Sequence, residues 1–481
     1  MSTTVSAKDD LLFQSIGELG TRLRRREVTS LELTELSLAR LDTIGRSLNC
    51  VATLTPDLAR EQAKQADKEL KAGRDRGPLH GIPWGAKDLL DTAGIATTWG
   101  AKPYENRVPT TDATVIKKLR DAGAVLVAKL AMVELAGGLG YHFGTASLQG
   151  PMRNPWNKEK WTGGSSSGSG AAVAAGLVPI AIGTETWGSI LCPSAFCGIT
   201  GLRPTYGRVS RAGAMALSWT FDKIGPMAHT AEDCRLVLDA IAGPDSADPT
   251  ARSEKLEWGE ALKAASRPGA DPKSLVSGMK AALIPSDYDK NGEPEAKAAF
   301  AQAVKDLEAL GLKISEAKLP DLPFEPVAIA VITAEAACAY ESLFTSGDVR
   351  KLSDDRAMFQ YEVAKAITAA DYVKSMRLRT EMQRAANKFF EEYDVIVAPN
   401  FLKGAPGVQE DFDTFFSGGD PVGGMGNACG LPSVALPMGF GKDHMPVGFQ
   451  VMGAPLAEAT VTRVGTAYQA RTRWHGDRPT T

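Results

Sequence analysis

The 481-residue chain has only five histidines: His80, His142, His229, His444 and His475. None sits in an HExxH or similarly spaced cluster, which argues against a catalytic zinc site. Its six cysteines, Cys50, Cys192, Cys197, Cys234, Cys338 and Cys429, are scattered with no CxxC pair. That spacing fits reduced, mostly buried thiols better than a disulfide framework. No apolar run approaches the roughly 18 residues of a membrane span. The first residues, MSTTVSAKDDLLFQ, have no basic segment followed by an apolar one, so a secretory signal is not expected and a cytoplasmic enzyme is. A formal net charge of −3 gives no strong field for nucleic acid or anionic membrane. A G-x-S-x-G elbow and a phosphate-binding G-x-x-x-x-G-K-[ST] loop are both missing, since Gly439-Phe440-Gly441-Lys442 does not fit the latter.

What is present is an ordinary globular composition, 43% hydrophobic and 23% charged. Residues 1–70 read as mostly helical, with apolar residues spaced by three and four in SIGELGTRLRRREV and SLELTELSLARLDTIG and a charged, alanine-rich helix from Asp57 to Lys71. Beyond Gly77 the texture changes to glycine and short apolar runs. A helix over 111–122 precedes a buried strand, AVLVAK, at 124–129. Further strands are expected at 281–285, 394–399, 433–440 and 446–453, and helices at 230–243, 293–310, 324–345, 356–392 and 458–471. Residues 244–277 read as a surface excursion, and the glycine-rich stretch 403–426 as a mobile loop near the site. The order of elements points to one large α/β/α domain over 1–481, with a mixed twisted sheet surrounded by helices.

Residues 161–190 are the most unusual stretch: WTGGSSSGSG, then AAVAAGL, then VPIAIGTETWGSI. Gly/Ser runs are often linkers. This one lies between apolar, small-residue elements, which favours a loop, a short helix, a buried strand and a turn. Cleaving an amide covalently needs an activated nucleophile, a proton acceptor and oxyanion donors. With no suitable histidine, a serine–lysine arrangement is the alternative. A lysine acts as a base only when neutral, which requires burial or nearby positive charge. GIPWGAKDLL places Lys87 in an apolar, glycine-rich setting; a surface lysine paired with Asp88 is the other reading of those residues. The S-x-x-K pattern at Ser315–Lys318 lacks its partner motifs and reads as chance.

GIPWGAKD (81–88), GGSSSGSGAAVAAG (163–176), GTETWGSILCPSAFCGITGLRPTYGRVS (183–210), IGPM (224–227), YDVIVAP (393–399), GLPSVALP (430–437) and PVGFQVMG (446–453) resemble, in order, the motifs of the amidase signature family. The resemblance runs from about residue 15 to residue 470. It implies a hydrolase of carboxylic amides, with carbamates (urethanes), anilides or esters as further substrates. It assigns Ser189 as the acyl-forming nucleophile, Ser165 as the cis-peptide serine that passes the proton, and Lys87 as the base. The backbone N–H groups of Thr186, Trp187, Gly188 and Ser189 correspond to the family's oxyanion loop, where one donor is worth about 2.7–4 kcal/mol of barrier. Ser166 is a supporting hydrogen bonder, and Ser167 and Ser169 loop hydrogen bonders. Four positions depart from the common pattern: Trp187 stands where a glycine is usual, Leu191 where an arginine is frequent, and Ser167 and Gly170 differ within the Gly/Ser run. Met132, Trp187, Leu191, Phe415 and Phe416 are candidates for an apolar substrate pocket or for core.

No cofactor and no metal are expected. The primary expectation is a hydrolase acting on a small-molecule amide or carbamate, monomeric or homodimeric, without nucleic acid or membrane. The alternative is the glutamine-hydrolysing A-type subunit of a tRNA-dependent amidotransferase, with partner chains and ATP chemistry elsewhere. A catalytically dead binding protein is disfavoured by the intact Lys87, Ser165 and Ser189, and a nucleotide-binding α/β protein by the missing phosphate loop.

Overall fold

Eleven strands form one mixed sheet, and helices cover both its faces in this computed structural model, which describes residues 10–260, 262, 270–285 and 292–480. The strands are β1 (Val51–Leu54), β2 (Pro83–Lys87), β3 (Val125–Leu130), β6 (Ile180–Glu185), β7 (Thr200–Arg203), β8 (Lys223–Ala228), β9 (Lys280–Leu283), β10 (Lys313–Glu316), β11 (Val395–Pro399), β12 (Ser433–Phe440) and β13 (Pro446–Gly453). β4 (Arg153–Asn154) and β5 (Asn157–Trp161) form a separate small ribbon. Spatial order in the large sheet is β1-β3-β2-β6-β8-β7-β12-β13-β11-β9-β10. β2 runs parallel to both β3 and β6, and β9 parallel to β10 and β11; the remaining neighbours are antiparallel. The mixed α/β sheet expected from the element order is therefore what the chain forms.

β2, β3 and β6 are buried along their whole length, so their sequences show no polar alternation. The N-terminal helices α1 (Ile16–Arg25) and α2 (Ser30–Arg40) each begin with a capping box, Ser15 with Glu18 and Thr29 with Glu32. α1 buries Ile16, Leu19 and Leu23 against the core, and α3 (Pro56–Lys71) buries a stripe of alanines. Within 10–70 the helices are broken by short turns and by one strand, β1, which adds an edge to β3 with a bulge between Val51 and Thr53; residues 1–9 of the expected helical part lie outside the described residues, as do 261 and 263–269 of the expected excursion.

The helix expected at 111–122 is α4 (Thr114–Asp121), and the strand after it is β3. Residues 403–426 are not loop throughout: Phe412–Phe415 forms one helical turn, and a helix over Pro421–Cys429 is capped by Asp420, whose carboxylate accepts the Gly423 N–H. Asp420 followed by Pro421 is a helix-start signal that the local glycine content obscured. Five of the cysteines are buried and Cys338 is exposed, all as free thiols. Among the described residues, no helix is long and apolar enough to cross a membrane.

Candidate active site

Three elements converge at the centre of the sheet. β2 ends in Lys87, the Gly/Ser run enters α5 (Ser167–Ala174), and β6 ends in Glu185 ahead of a turn leading into α6 (Leu191–Cys197). The Gly/Ser run is buried from Thr162 onward, which excludes a flexible linker. Its small residues are required by close packing. A Cβ on Gly168 would lie 2.5 Å from the Ala131 carbonyl oxygen, and one on Gly183 would lie 2.8 Å from Ser166 Oγ. The peptide bond between Gly164 and Ser165 is cis.

Lys87 is wholly buried. Its Nζ lies 2.8 Å from Ser165 Oγ, 3.0 Å from Ser166 Oγ and 2.9 Å from Thr184 Oγ1. Burial pulls its pKa down from 10.5 to about 7, against the opposing pull of Asp222 and Glu185. The surface pairing with Asp88 does not form. Asp88 is itself buried, 3.3 Å from Lys129 Nζ, and accepts from the Thr98 N–H and hydroxyl. Strand alternation explains the separation, since neighbours on β2 point to opposite faces. Ser166 donates to the Thr184 carbonyl and accepts from the Thr184 N–H, and Ser169 donates to the Ile182 carbonyl. The Ser167 hydroxyl has no partner among the described residues.

Ser189 lies on the turn after β6, with Gly188 at φ +77°, a backbone conformation open to glycine. The Ser189 carbonyl accepts the Ser166 N–H at 3.2 Å, which ties the turn to the cis-peptide loop. Among the described residues, the N–H groups of Trp187, Gly188 and Ser189 donate to no group of the chain. The turn is braced from beneath by Glu185, whose buried carboxylate accepts from the Ile190 and Leu191 N–H groups at 2.9 and 3.0 Å and pairs with Arg203 at 2.7 Å. Its pKa is lowered by Arg203 and Lys223 in spite of burial. On the other side Thr186 donates to Asp222 at 2.6 Å, and buried Lys223 donates to the Thr186 and Phe221 carbonyls. Burial pushes Lys223 well below the ordinary lysine range. Sequence reasoning passed over Glu185, Arg203, Asp222 and Lys223 as supports. The available signal was charged residues standing inside otherwise apolar strands, as in TGLR and KIGPMA.

A cavity of about 370 Å³ opens on this turn, lined on the turn side by Gly164, Trp187, Gly188 and Cys192 and on the far side by Asn400, Phe401, Phe415 and Phe416. Of the five pocket candidates, the structure brings Trp187, Phe415 and Phe416 to this cavity. Met132 and Leu191 pack instead in the hydrophobic core, both nearly solvent-free. Trp187 is anchored by its indole N–H, which donates to Asp420 Oδ2 at 2.8 Å. A second cavity, of about 420 Å³, reaches the same turn from the Thr184 and Thr186 side, past Met215, Leu217 and Asp222. Far along the sequence from it, His142 meets Asp354 at 3.0 Å, tying the 137–144 loop to residues 353–356.

A buried serine–lysine pair, a second serine on a turn with open N–H donors, and a cavity beside it define an amide-hydrolase class of site. The family profile Amidase matches residues 32–462, and the chain belongs to that family. The A-type subunit of glutamyl-tRNA(Gln) amidotransferase from Carboxydothermus hydrogenoformans is 34% identical over 498 residues, covering 98% of this chain and 99% of the relative. The structure of the corresponding amidotransferase chain from Thermotoga maritima is 29% identical with a TM-score of 0.79, covering 98% of both chains. The native peptide amidase from Stenotrophomonas maltophilia is also 29% identical, with a TM-score of 0.77, covering 96% of this chain and 97% of that one. Like these relatives, the chain is an enzyme of the C–N hydrolase type. The relatives also correct one expectation. A small-molecule enzyme without nucleic acid, existing only as a monomer or homodimer, does not stand beside relatives named as one subunit of an enzyme of glutamyl-tRNA(Gln). The net charge of −3 misled here, because a sum over the whole chain does not say how its charges are distributed.

Proposed function

We propose that the chain hydrolyses a carboxylic amide through a Ser189 acyl-enzyme, and that it does so as the glutamine-hydrolysing A-type subunit of a tRNA-dependent amidotransferase. The observation that carries the chemistry is Lys87, buried, with a pKa near 7 and 2.8 Å from Ser165. Lys87 takes the Ser165 proton as Ser165 takes that of Ser189, and Ser189 Oγ bonds to the carbonyl carbon. The oxyanion is held by N–H groups of the 186–189 turn. The C–N bond then breaks, and the proton returns from Lys87 through Ser165 to the departing nitrogen. Water repeats the sequence on the acyl-enzyme and releases the acid. The role in an amidotransferase is supported by relatives of that name at 34–38% identity over nearly the whole chain.

One observation favours a second reading of the acyl specificity, an apolar or aromatic amide or carbamate: Trp161, Trp187, Phe401, Phe415 and Phe416 all line the cavity. The two readings separate in one assay. Glutamate and ammonia formed from glutamine are measured beside cleavage of an aryl carbamate, with the Ser189→Ala chain as blank. Ammonia release above the blank is the expected result. Carbamate cleavage without any release from glutamine, by the chain alone or in its native complex, rejects the amidotransferase role.

A further inference from the structure

Ser165 and Ser189 lie on different segments, one leading into α5 and the other into α6. α6 runs against the stretch 162–164 that precedes Ser165, and the contacts follow in reverse order. Cys197 donates its thiol to the Thr162 carbonyl at 3.3 Å. Pro193 packs on Gly163 so closely that a Cβ there would lie 2.8 Å from Pro193 Cα. The Cys192 sulfur is hydrogen-bonded to the Gly164 backbone, a bond that draws the thiol pKa down and therefore comes from the Gly164 N–H. On the other side of Ser165, the Ser166 N–H donates to the Ser189 carbonyl at 3.2 Å. Ser165 is thus held at both its neighbours by the segment that carries Ser189.

These ties meet in Cys192. Its own N–H donates to the Gly188 carbonyl at 2.7 Å, which fixes it to the nucleophile turn, and it lines the aromatic cavity. A sulfur in that place has two other uses. One is as a second nucleophile, but burial pushes its pKa up to about 12 in spite of the Gly164 N–H, and a neutral thiol attacks poorly. The other is to fill space, in which case any side chain of its size would serve. A neutral thiol also accepts weakly, so it takes one N–H without adding charge to the site. We propose that Cys192 is a positioning residue for the reaction: by accepting the Gly164 N–H, its sulfur sets Ser165 against Ser189 for proton transfer. This rests on the Ser189 acyl-enzyme reading of the site and adds to it a residue that acts through its neighbours.

The test is the rate of covalent labelling by two fluorophosphonates, one alkyl and one aryl, whose phosphorus bonds to Ser189 Oγ with loss of fluoride. Both kinact and KI are read for the full chain and for Cys192→Ala, Cys192→Val and Cys192→Ser. Cys192→Ala removes the acceptor, and Cys192→Val removes it while filling the space. Each should lower kinact about tenfold with either probe, the upper scale of one neutral hydrogen bond, and leave KI unchanged. Cys192→Ser restores an acceptor and should keep most of the parent kinact. A merely structural role would lower the denaturant midpoint and leave kinact of the folded protein unmoved. A space-filling role would shift KI, and unequally for the two probes. An unchanged kinact in both Cys192→Ala and Cys192→Val, a serine variant as slow as the alanine one, or a change confined to KI would overturn the proposal. Failure of the catalytic reading looks different: the parent chain itself would take up neither probe, and the positioning role would fall with it.

Discussion

If Lys87 is the base, activity must follow its deprotonation, and the structure sets where that happens. Burial brings its pKa to about 7, with Asp222 and Glu185 pulling the other way. Only the neutral amine accepts the proton, so kcat/KM should rise with pH. It should stand near a tenth of its plateau at about pH 6, half at about 7 and nine-tenths at about 8, as one group titrates. Lys87→Arg should lose at least about a hundredfold and show no such inflection, because a guanidinium stays charged. The same shift makes a stability statement with a definite sign. Between pH 7 and 10.5 the unfolded chain holds a proton at Lys87 that the folded chain has released, so this group's contribution raises stability with pH, by at most about 1.4 kcal/mol per unit. It is flat above 10.5, where both states are neutral. Lys87→Met removes that slope, and the difference between the two stability–pH curves isolates it from other titrating groups. The assays are initial rates from pH 5.5 to 9.5 and denaturant melts over the same range. A rate that is level or falling across pH 6–8, or parallel stability curves for the two proteins, would refute the assignment.

Ser189→Ala should abolish turnover and prevent labelling by a fluorophosphonate probe; near-normal amidase activity would place the nucleophile elsewhere. Asp222→Asn removes a negative charge that raises the Lys87 pKa, so the inflection of the rate profile should move to lower pH, read from the same rate series. Glu185→Ala strands Arg203 and frees the Ile190 and Leu191 N–H groups, and should destabilise by about 3–5 kcal/mol in denaturant melts, the range for breaking a buried pair from one side. Trp187→Phe keeps a ring but removes the donor to Asp420, and should raise the kcat/KM for glutamine relative to an aryl amide by about tenfold, the scale of a hydrogen bond to a charged acceptor; an unchanged ratio would make the indole packing alone.

The sequence told more about the fold than about the cavity, for a physical reason. Buried parallel strands are continuous apolar runs, and AVLVAK and DVIVAP are legible as such wherever they sit. Local chemistry is legible too: Ser15 three residues before Glu18 announces a capped helix. The cavity is assembled from segments hundreds of residues apart, and no local pattern says which aromatic faces it. Phe415 and Phe416 face it, while Met132, equally apolar, is core. Lys87 shows the limit most clearly. Its residues alone were compatible with a surface ion pair, and only the resemblance to a family separated the two readings. Spatially, the decision is made by Lys129, which takes Asp88 on the opposite face of β2.

The charges beneath the turn explain how a neutral-leaning lysine can persist next to carboxylates. Glu185 and Asp222 both raise the pKa of Lys87, and free carboxylates at those positions would hold it protonated. Neither is free. Glu185 is neutralised by Arg203 and by the Ile190 and Leu191 N–H groups, and Asp222 accepts from Thr186, Leu217 and Ser218. Lys223, buried in the same cluster, is itself pushed well below the ordinary lysine range and donates to the Thr186 and Phe221 carbonyls. Each group that quiets a carboxylate also fixes a backbone segment of the 186–191 turn: Arg203 and the N–H groups through Glu185, Thr186 through Asp222. In the proposed mechanism, tuning of the base and positioning of the oxyanion donors are therefore performed by the same bonds. A substitution in this cluster should move the pH profile and lower the plateau rate together, whereas one in the aromatic cavity should alter selectivity with the profile unmoved.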